Sequence, residues 1–191
     1  MIYIEKGEEP VWLSEFKKKN PMATYDSDLF DGYKEQLRKE LVAEQHSLCA
    51  YCCSSISNEK AHNEHIEPRN PKKGVSVRSL DYTNLVASCN NKNTCGSRKK
   101  NEYNSEKFVS PLNPNCEDAF LYYSDGIVEG DQYTIDLLNL NAYELKEARK
   151  AIFRIIKDLD KEIIELIYCQ ENETLPAYYN VIKWFLKNEA V

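Results

Sequence analysis

The sequence has little of what would stretch the chain across a membrane or leave it unfolded. Its 191 residues include 6 glycines, 7 prolines and 2 methionines, without repeats or low-complexity segments. No run approaches the roughly 18 apolar residues of a membrane-spanning helix. The first residues also lack a basic segment followed by an apolar one, as a secretory signal would have. We therefore expect a soluble, cytoplasmic protein with one domain, or with a small module inside a larger helical frame.

Positive charge is also in short supply. Lys and Arg number 25 against 31 Asp and Glu, a formal charge of −6, which argues against a protein that coats nucleic acid over its whole surface. The charge is unevenly spread, however. Between Pro68 and Lys100 only Asp81 is acidic, whereas eight residues are basic: Arg69, Lys72, Lys73, Arg78, Lys92, Arg98, Lys99 and Lys100. This basic window suggests a local anion-binding surface.

The chain has seven cysteines, and disulfides do not persist in a reducing compartment. Grouped cysteines in such a compartment therefore indicate a metal site as the first interpretation. Two pairs stand out: Cys49 with Cys52, and Cys89 with Cys95. Four thiolates favour tetrahedral Zn²⁺, usually in a structural role. Cys53 could replace Cys52, and Cys116 and Cys169 are assigned to packing. The alternative is that the paired cysteines are small buried apolar residues.

Periodicity predicts an α+β fold. Apolar residues every four positions predict an amphipathic helix over 28–46, and the segment from Cys49 to Lys100 favours small strands and loops followed by a short helix. A hairpin is expected around Asp125-Gly126. A long helix is expected from Asn141 to residue 168, with Asn141 and Glu144 forming a capping box at its start, and a last helix is expected over 175–188. The expected divisions are an N-terminal arm and helix (1–46), a zinc-bound module (47–105) and a C-terminal hairpin and helical region (106–191).

Three motifs inside the cysteine-bracketed segment carry a family resemblance. They are Glu64-His65-Ile66-x-Pro68, Asn84-Leu85 and Cys95-x-x-x-Lys99. Together they resemble the ββα-metal finger of HNH endonucleases. Further segments resemble the PtuB family, the HNH subunits of Septu-type anti-phage defence systems, also found beside certain retrons. These are the helix leading into Cys-Ala-Tyr-Cys, Ser110-Pro111-Leu112, Asp125-Gly126, and 137–141 before a helix with Arg149.

The resemblance implies a metal-dependent endonuclease that hydrolyses phosphodiester bonds, with DNA favoured over RNA. His65 is the expected general base, since a neutral imidazole can accept a proton near neutral pH. Glu64 would bind a catalytic Mg²⁺ or Mn²⁺, separate from the structural zinc. Neighbouring side chains on a strand point to opposite faces, so this role needs a bulge or twist. By analogy, Asn84 fixes the loop that positions His65.

The resemblance also implies partners. Beside a phosphodiesterase site, the basic window becomes a surface for the nucleic-acid backbone, formed by Lys72, Lys73, Arg78, Lys92, Arg98, Lys99 and Lys100. Similarity to PtuB implies a large ATPase partner, PtuA, with the acidic frame as its binding surface. The chain would then be the effector subunit of an anti-phage complex.

One position departs from the family pattern. The residue after the last cysteine is usually His, Asn or Asp and binds the catalytic metal, whereas this sequence has Gly96. The metal would then rely on Glu64, water and Asn90, Asn91 or Asn93. The alternative is a catalytically weakened zinc module that binds nucleic acid or a partner. His62 is interpreted as an exposed loop residue rather than a second base or ligand. A thiol redox protein built on Cys49-x-x-Cys52 is disfavoured, because no βαβ pattern surrounds that pair.

Overall fold

The computed structural model describes residues 1–70, 78–169 and 174–188. Helices alternate with two small antiparallel sheets, which confirms the predicted α+β class in its broad form. The helices are α1 (Val11–Lys19), α2 (Lys34–Glu44), α3 (Cys95–Lys99), α4 (Gln132–Leu138), α5 (Tyr143–Ile156), α6 (Lys161–Tyr168) and α7 (Tyr179–Asn188). The strands are β1 (Ala61–His65), β2 (Leu85–Cys89), β3 (Phe120–Tyr122) and β4 (Val128–Gly130). No helix among the described residues is long and apolar enough to cross a bilayer.

The first sheet positions most of the candidate site. Strands β1 and β2 pair antiparallel, with Ala61 opposite Cys89 and His65 opposite Leu85. All five residues of β2 are buried, because α2 packs against the sheet and α3 packs against β2. The chain therefore runs from α2 through two short strands into a five-residue helix, as the sequence pattern predicted for this segment.

The helix predicted over 28–46 is shorter than expected. Residues Asp28–Tyr33 form a 3₁₀ turn, and the α-helix begins only at Lys34. Gly32 lies in this turn, and glycine costs about 1 kcal/mol relative to alanine in a helix interior. Leu37 and Leu41 of the predicted apolar stripe are fully buried, whereas Leu29 is exposed.

The helix predicted from Asn141 to residue 168 is two helices, and its capping box is absent. The Asn141 side chain accepts a hydrogen bond from Val128 N at 2.9 Å and donates one to Val128 O at 2.8 Å, so it ties α5 to strand β4 instead of capping the helix. The helical conformation is interrupted between Ile156, where α5 ends, and Lys161, where α6 begins. The apolar period continues across this break because Ile156 and Ile164 are both buried in the same core.

The C-terminal part otherwise follows the prediction. Strands β3 and β4 form the hairpin around Asp125-Gly126, and Gly126 has a φ of +87°, which favours glycine. The last helix begins at Tyr179, a few residues later than predicted. A single cluster of buried apolar residues includes members from α1, α2, the first sheet and the C-terminal helices.

Candidate metal centre and active site

Four cysteines converge where α2, the first sheet and α3 meet. The sulfur atoms of Cys49, Cys52, Cys89 and Cys95 all lie within 4.8 Å of one another, and all four residues are buried. Tetrahedral zinc binds thiolates at about 2.3 Å, which places the sulfurs about 3.8 Å apart. The group therefore has the composition and spacing to hold a metal such as zinc. Such an ion would join the turn after α2, the end of β2 and the start of α3.

The other cysteines lie outside this group. Cys53, the alternative to Cys52, is buried elsewhere, and burial raises the pKa of its thiol to about 11. Burial also raises the pKa of Cys116 to about 12. These two residues therefore remain protonated thiols at neutral pH, as expected of packing residues, and Cys169 is half-buried.

His65 ends strand β1 with its imidazole ring held on both sides. Its Nε2 lies 2.9 Å from the backbone oxygen of Ser79. Its ring packs edge-on against the Tyr25 ring, with 4.7 Å between the two ring centroids. A carbonyl oxygen only accepts hydrogen bonds, so Nε2 carries the proton and Nδ1 of the neutral ring has a free lone pair. Burial lowers the pKa of His65, although the bond to Ser79 opposes this effect. The ring is therefore neutral at pH 7.

Asn84 braces the loop that supplies the Ser79 carbonyl. Its Oδ1 accepts a hydrogen bond from Glu67 N at 2.8 Å, and its Nδ2 donates to Glu67 O at 3.0 Å and to Arg78 O at 3.2 Å. Asn84 is itself buried. One amide side chain thus links the backbone just after His65 to the backbone just before Ser79.

Glu64 lies on the opposite face of β1 from His65. Each residue of β1 pairs with one residue of β2, so the bulge that would turn both side chains to one side is absent from this ladder. Glu64 Oε1 accepts hydrogen bonds from Lys99 Nζ at 2.8 Å and from Tyr51 Oη at 3.3 Å. Glu64 and His65 nevertheless both line a polar cleft of about 230 Å³ at the end of the strand, with Pro68, Arg69, Asn70, Lys100 and Asn101. Both residues therefore border one cleft, although their side chains extend from opposite faces of the strand.

His62 is not the exposed loop residue that was expected. It lies on β1, two residues before Glu64 and on the same face, and its side chain is 31% exposed. Its Nε2 is 3.6 Å from Glu64 Oε2. Two of the three asparagines considered as substitute ligands have other side-chain partners: Asn90 contacts His62, and Asn91 donates a hydrogen bond to Glu144.

The predicted basic surface divides into three groups. Lys92, Arg98 and Lys100 are exposed and line an open cleft of about 480 Å³ beside α3. Lys100 also lines the smaller cleft of Glu64 and His65, so it connects the two. Lys72 and Lys73 lie outside the described residues.

Two members of that predicted surface are placed differently. The Lys99 side chain is fully buried, and its Nζ donates to Glu64 Oε1 and, at 2.9 Å, to His65 O. It therefore holds α3 against β1 and is not part of an exposed phosphate-binding surface. Arg78 forms ion pairs with Glu67 and Asp81, so its charge is already balanced by two carboxylates.

Three residues of the site carried no signal in the sequence. Ser79 acts through its backbone oxygen, Tyr25 comes from the N-terminal segment, and Tyr51 is one of the two residues between the first cysteines. A backbone carbonyl contact leaves no mark on residue type, and the Tyr25 contact joins segments 40 residues apart. Only the position of Tyr51 inside the Cys-Ala-Tyr-Cys turn could have suggested a role.

These features define a small α+β protein in which a four-thiol group that could hold a metal lies next to a polar cleft with a neutral histidine. The chain is similar to an Escherichia coli protein described as "Retron Ec83 putative HNH endonuclease", at 28% identity over 134 residues. The match covers 65% of this chain and 48% of the relative, so the chain spans about half the length of the curated relative it matches. No family model matches the chain. The similarity supports a relationship to the HNH endonucleases.

Proposed function

We propose that this protein is a metal-dependent HNH endonuclease that hydrolyses phosphodiester bonds of DNA, with His65 as its general base. One observation carries the proposal: His65 lines a polar cleft in the tautomer whose Nδ1 can accept a proton. Two strands followed by a short helix, with four cysteines at their junction, support the likeness to an HNH finger. The similarity to a protein described as an HNH endonuclease is independent support.

The contacts of these residues support the roles that we propose for them. His65 Nδ1 takes a proton from the attacking water, while Ser79 O stabilises the imidazolium that forms, through Nε2–H. Glu64 would hold a catalytic Mg²⁺ or Mn²⁺, and its Oε2 would be the oxygen available for this, since Lys99 and Tyr51 both donate to Oε1. When bound, this ion neutralises charge on the phosphoryl oxygens and the leaving oxygen. The four cysteines hold zinc in a structural role, since all four positions of a tetrahedral ion are then filled by protein.

Asn84 acts as a positioning residue in this proposal. Asn84→Ala is expected to lower the cleavage rate by about 10- to 100-fold, because a shift of about 1 Å in a positioned catalytic group has effects of this size. It also leaves the Glu67 amide and carbonyl without their partner, at a cost of about 1–3 kcal/mol in unfolding free energy. Cleavage kinetics at equal zinc content and urea unfolding measure the two effects. Asn84→Asp is the matched variant, because it keeps the acceptor for Glu67 N and loses both donated hydrogen bonds. Wild-type cleavage activity in both variants would contradict the positioning role of Asn84.

The exposed cations beside α3 are proposed to contact the nucleic-acid backbone, together with Lys72 and Lys73. Replacing Lys92, Arg98 and Lys100 by alanine is expected to weaken DNA binding for every sequence. It should also reduce the slope of log K against log salt by up to about 2.7, since each lost phosphate contact removes about 0.9. Fluorescence anisotropy at several salt concentrations measures this.

A matched control removes the same charge elsewhere. Lys39, Lys157 and Lys161 are exposed lysines on other parts of the surface. Their triple alanine variant should keep the wild-type salt slope. An equal loss of slope in both triple variants would mean that only net charge, and not this surface, determines binding.

The wider biological assignment is also part of the proposal. The motifs shared with the PtuB family, and a relative whose name refers to a retron, support a role as the effector subunit of a cytoplasmic anti-phage complex. Its partner would be a PtuA-like ATPase that binds the acidic frame outside the first sheet and α3. Co-expression followed by size-exclusion chromatography tests this, and separate elution of the two proteins would reject the complex.

A binding module without catalysis is the second candidate, and Gly96 is the observation that favours it. Nicking of supercoiled plasmid by the purified protein in Mg²⁺ and in Mn²⁺ separates the two functions. Metal-dependent nicking that EDTA stops supports the endonuclease, and a single-stranded RNA substrate in parallel tests the preference for DNA. Salt-sensitive binding without any cleavage, both alone and with the ATPase, would favour the binding module.

A further inference from the structure

Gly96 allows two side chains of β1 to meet above the start of α3. A Cβ atom at residue 96 would lie 2.6 Å from Glu64 Oε2 and 2.8 Å from His62 Nε2, closer than real Cβ contacts. A side chain at position 96 and the present arrangement of His62 and Glu64 therefore exclude each other. The glycine leaves space that His62 and Glu64 use.

The hydrogen bonds of Asn90 determine which nitrogen of His62 faces Glu64 as an acceptor. Asn90 Nδ2 donates to Glu59 O at 3.4 Å, so Asn90 Oδ1 is the atom that lies 3.2 Å from His62 Nδ1. An amide oxygen only accepts hydrogen bonds, so His62 Nδ1 carries the proton in the neutral ring. The lone pair is then on Nε2, toward Glu64. A second partner that fixes the tautomer in this way is usual for histidines that bind metals.

The Glu64 carboxylate divides its two oxygens between different neighbours. Oε1 accepts from Lys99 and Tyr51, whereas Oε2 faces His62 Nε2 at 3.6 Å. In the neutral state of His62, two lone-pair atoms thus face each other, and either a proton on Nε2 or a metal cation between them satisfies both. A metal about 2.1 Å from two ligand atoms holds them about 3.0–3.4 Å apart at octahedral or tetrahedral angles, close to the observed separation.

We propose that His62 Nε2 and Glu64 Oε2 together bind a divalent first-row transition cation. His62, on strand β1, takes the place of the metal ligand that is missing from α3 because residue 96 is glycine. The inference rests on the proposed nuclease function, because it names the ligands of the catalytic ion. An imidazole ligand favours transition metals over Mg²⁺, which prefers oxygen ligands. His62 is partly exposed, so a hydrated cation can reach the pair from solvent. Because the Lys99 ammonium offsets the carboxylate charge, affinity without substrate is modest.

The test measures Mn²⁺ binding directly on the 191-residue chain carrying one equivalent of zinc. Free Mn²⁺ is followed by its electron paramagnetic resonance signal during titration. The wild type should bind one equivalent, and His62→Ala should weaken this binding by at least about tenfold. His46→Asn is the matched control: His46 is an exposed histidine, and asparagine tolerates its positive φ of 50°.

A double variant shows whether the loss comes from the ligand or from misfolding. In His62→Ala, a Cβ at residue 96 meets only the Glu64 carboxylate, which is the end of a flexible side chain and can shift. Gly96→Asn in the same chain can then supply an amide ligand from the helix beside Glu64 and restore Mn²⁺ binding. Gly96→Asn alone should lose Mn²⁺ binding, because its Cβ displaces the existing pair.

The outcomes for this inference and for the nuclease proposal are distinguishable. Wild-type Mn²⁺ affinity in His62→Ala overturns the inference even if the protein cuts DNA. Absence of a Mn²⁺ site in the zinc-loaded wild type overturns it as well. Binding that depends on His62, in a protein that cuts no nucleic acid, supports the metal site and rejects the nuclease.

Discussion

Replacing His65 by alanine is expected to lower the rate of DNA cleavage by about 10²- to 10⁴-fold, the contribution typical of a positioned general base. The physical reason is that Nδ1 is the free proton acceptor of the ring, since Nε2–H is bonded to the Ser79 carbonyl. Plasmid nicking under single-turnover conditions measures the loss. DNA affinity and zinc content should stay near the wild-type values, because the imidazole contacts neither the cysteines nor the exposed lysines.

The control for this variant is His46→Asn, which replaces an exposed histidine. It should cleave at the wild-type rate. His65→Ala also removes the ring packed against Tyr25, so thermal unfolding of both variants must accompany the assay. Cleavage by a folded His65→Ala protein at the wild-type rate would remove His65 as the base and, with it, the proposed mechanism.

Loss of the four-thiol group is expected to have the largest effect on stability. Zinc binding contributes about 10–16 kcal/mol in small zinc modules, where it is also folding free energy. Cys95→Ser removes one ligand and should reduce bound zinc below one equivalent. We expect the free energy of unfolding to fall by at least about 3 kcal/mol, which corresponds to a decrease of about 6–12 °C in Tm for a chain of this size. Metal analysis and thermal unfolding monitored by circular dichroism measure the two effects.

Cys53→Ser is the matched control for the thiol prediction. Cys53 is buried and adjacent to Cys52 but lies outside the four-sulfur group. The Cys53→Ser variant should retain one equivalent of zinc, whereas the Cys52→Ser variant should lose its zinc. Full zinc content in both Cys52→Ser and Cys95→Ser would show that these thiols are not the ligands. A strong chelator should also reproduce the Cys95→Ser melting curve in the wild type.

Local patterns were sufficient to predict several parts of the molecule. The spacing of Cys49, Cys52, Cys89 and Cys95 predicted a four-thiol group, and the structure brings these sulfurs together. The segment between them contains the short strands and short helix that its composition favoured. Motifs centred on Glu64-His65 and Asn84 indicated a relationship to HNH endonucleases, which a relative supports at the family level. Their catalytic roles stay predictions.

Other predictions failed where a local pattern competed with a distant contact. Asn141 with Glu144 has the spacing of a capping box, but the Asn141 side chain bonds to strand β4 instead. Apolar periodicity predicted one continuous helix through residues 157–160, because α5 and α6 both face the same core and share one apolar pattern. Lys99 belongs to a run of basic residues, yet its ammonium is buried against Glu64. Hydrogen bonds and ion pairs between distant residues leave no periodic signal.

The sequence by itself determined which chemistry is available: four thiols at metal-binding spacing, an acid beside a histidine, and a basic window in an acidic chain. Only the tertiary structure decided how these groups are arranged. It placed Glu64 and His65 on opposite faces of β1, brought the Ser79 carbonyl to His65, and set His62 in the space above Gly96. The physical reason is that residue types and spacings define local geometry, whereas the tautomer and partner of each site residue depend on atoms supplied by distant segments.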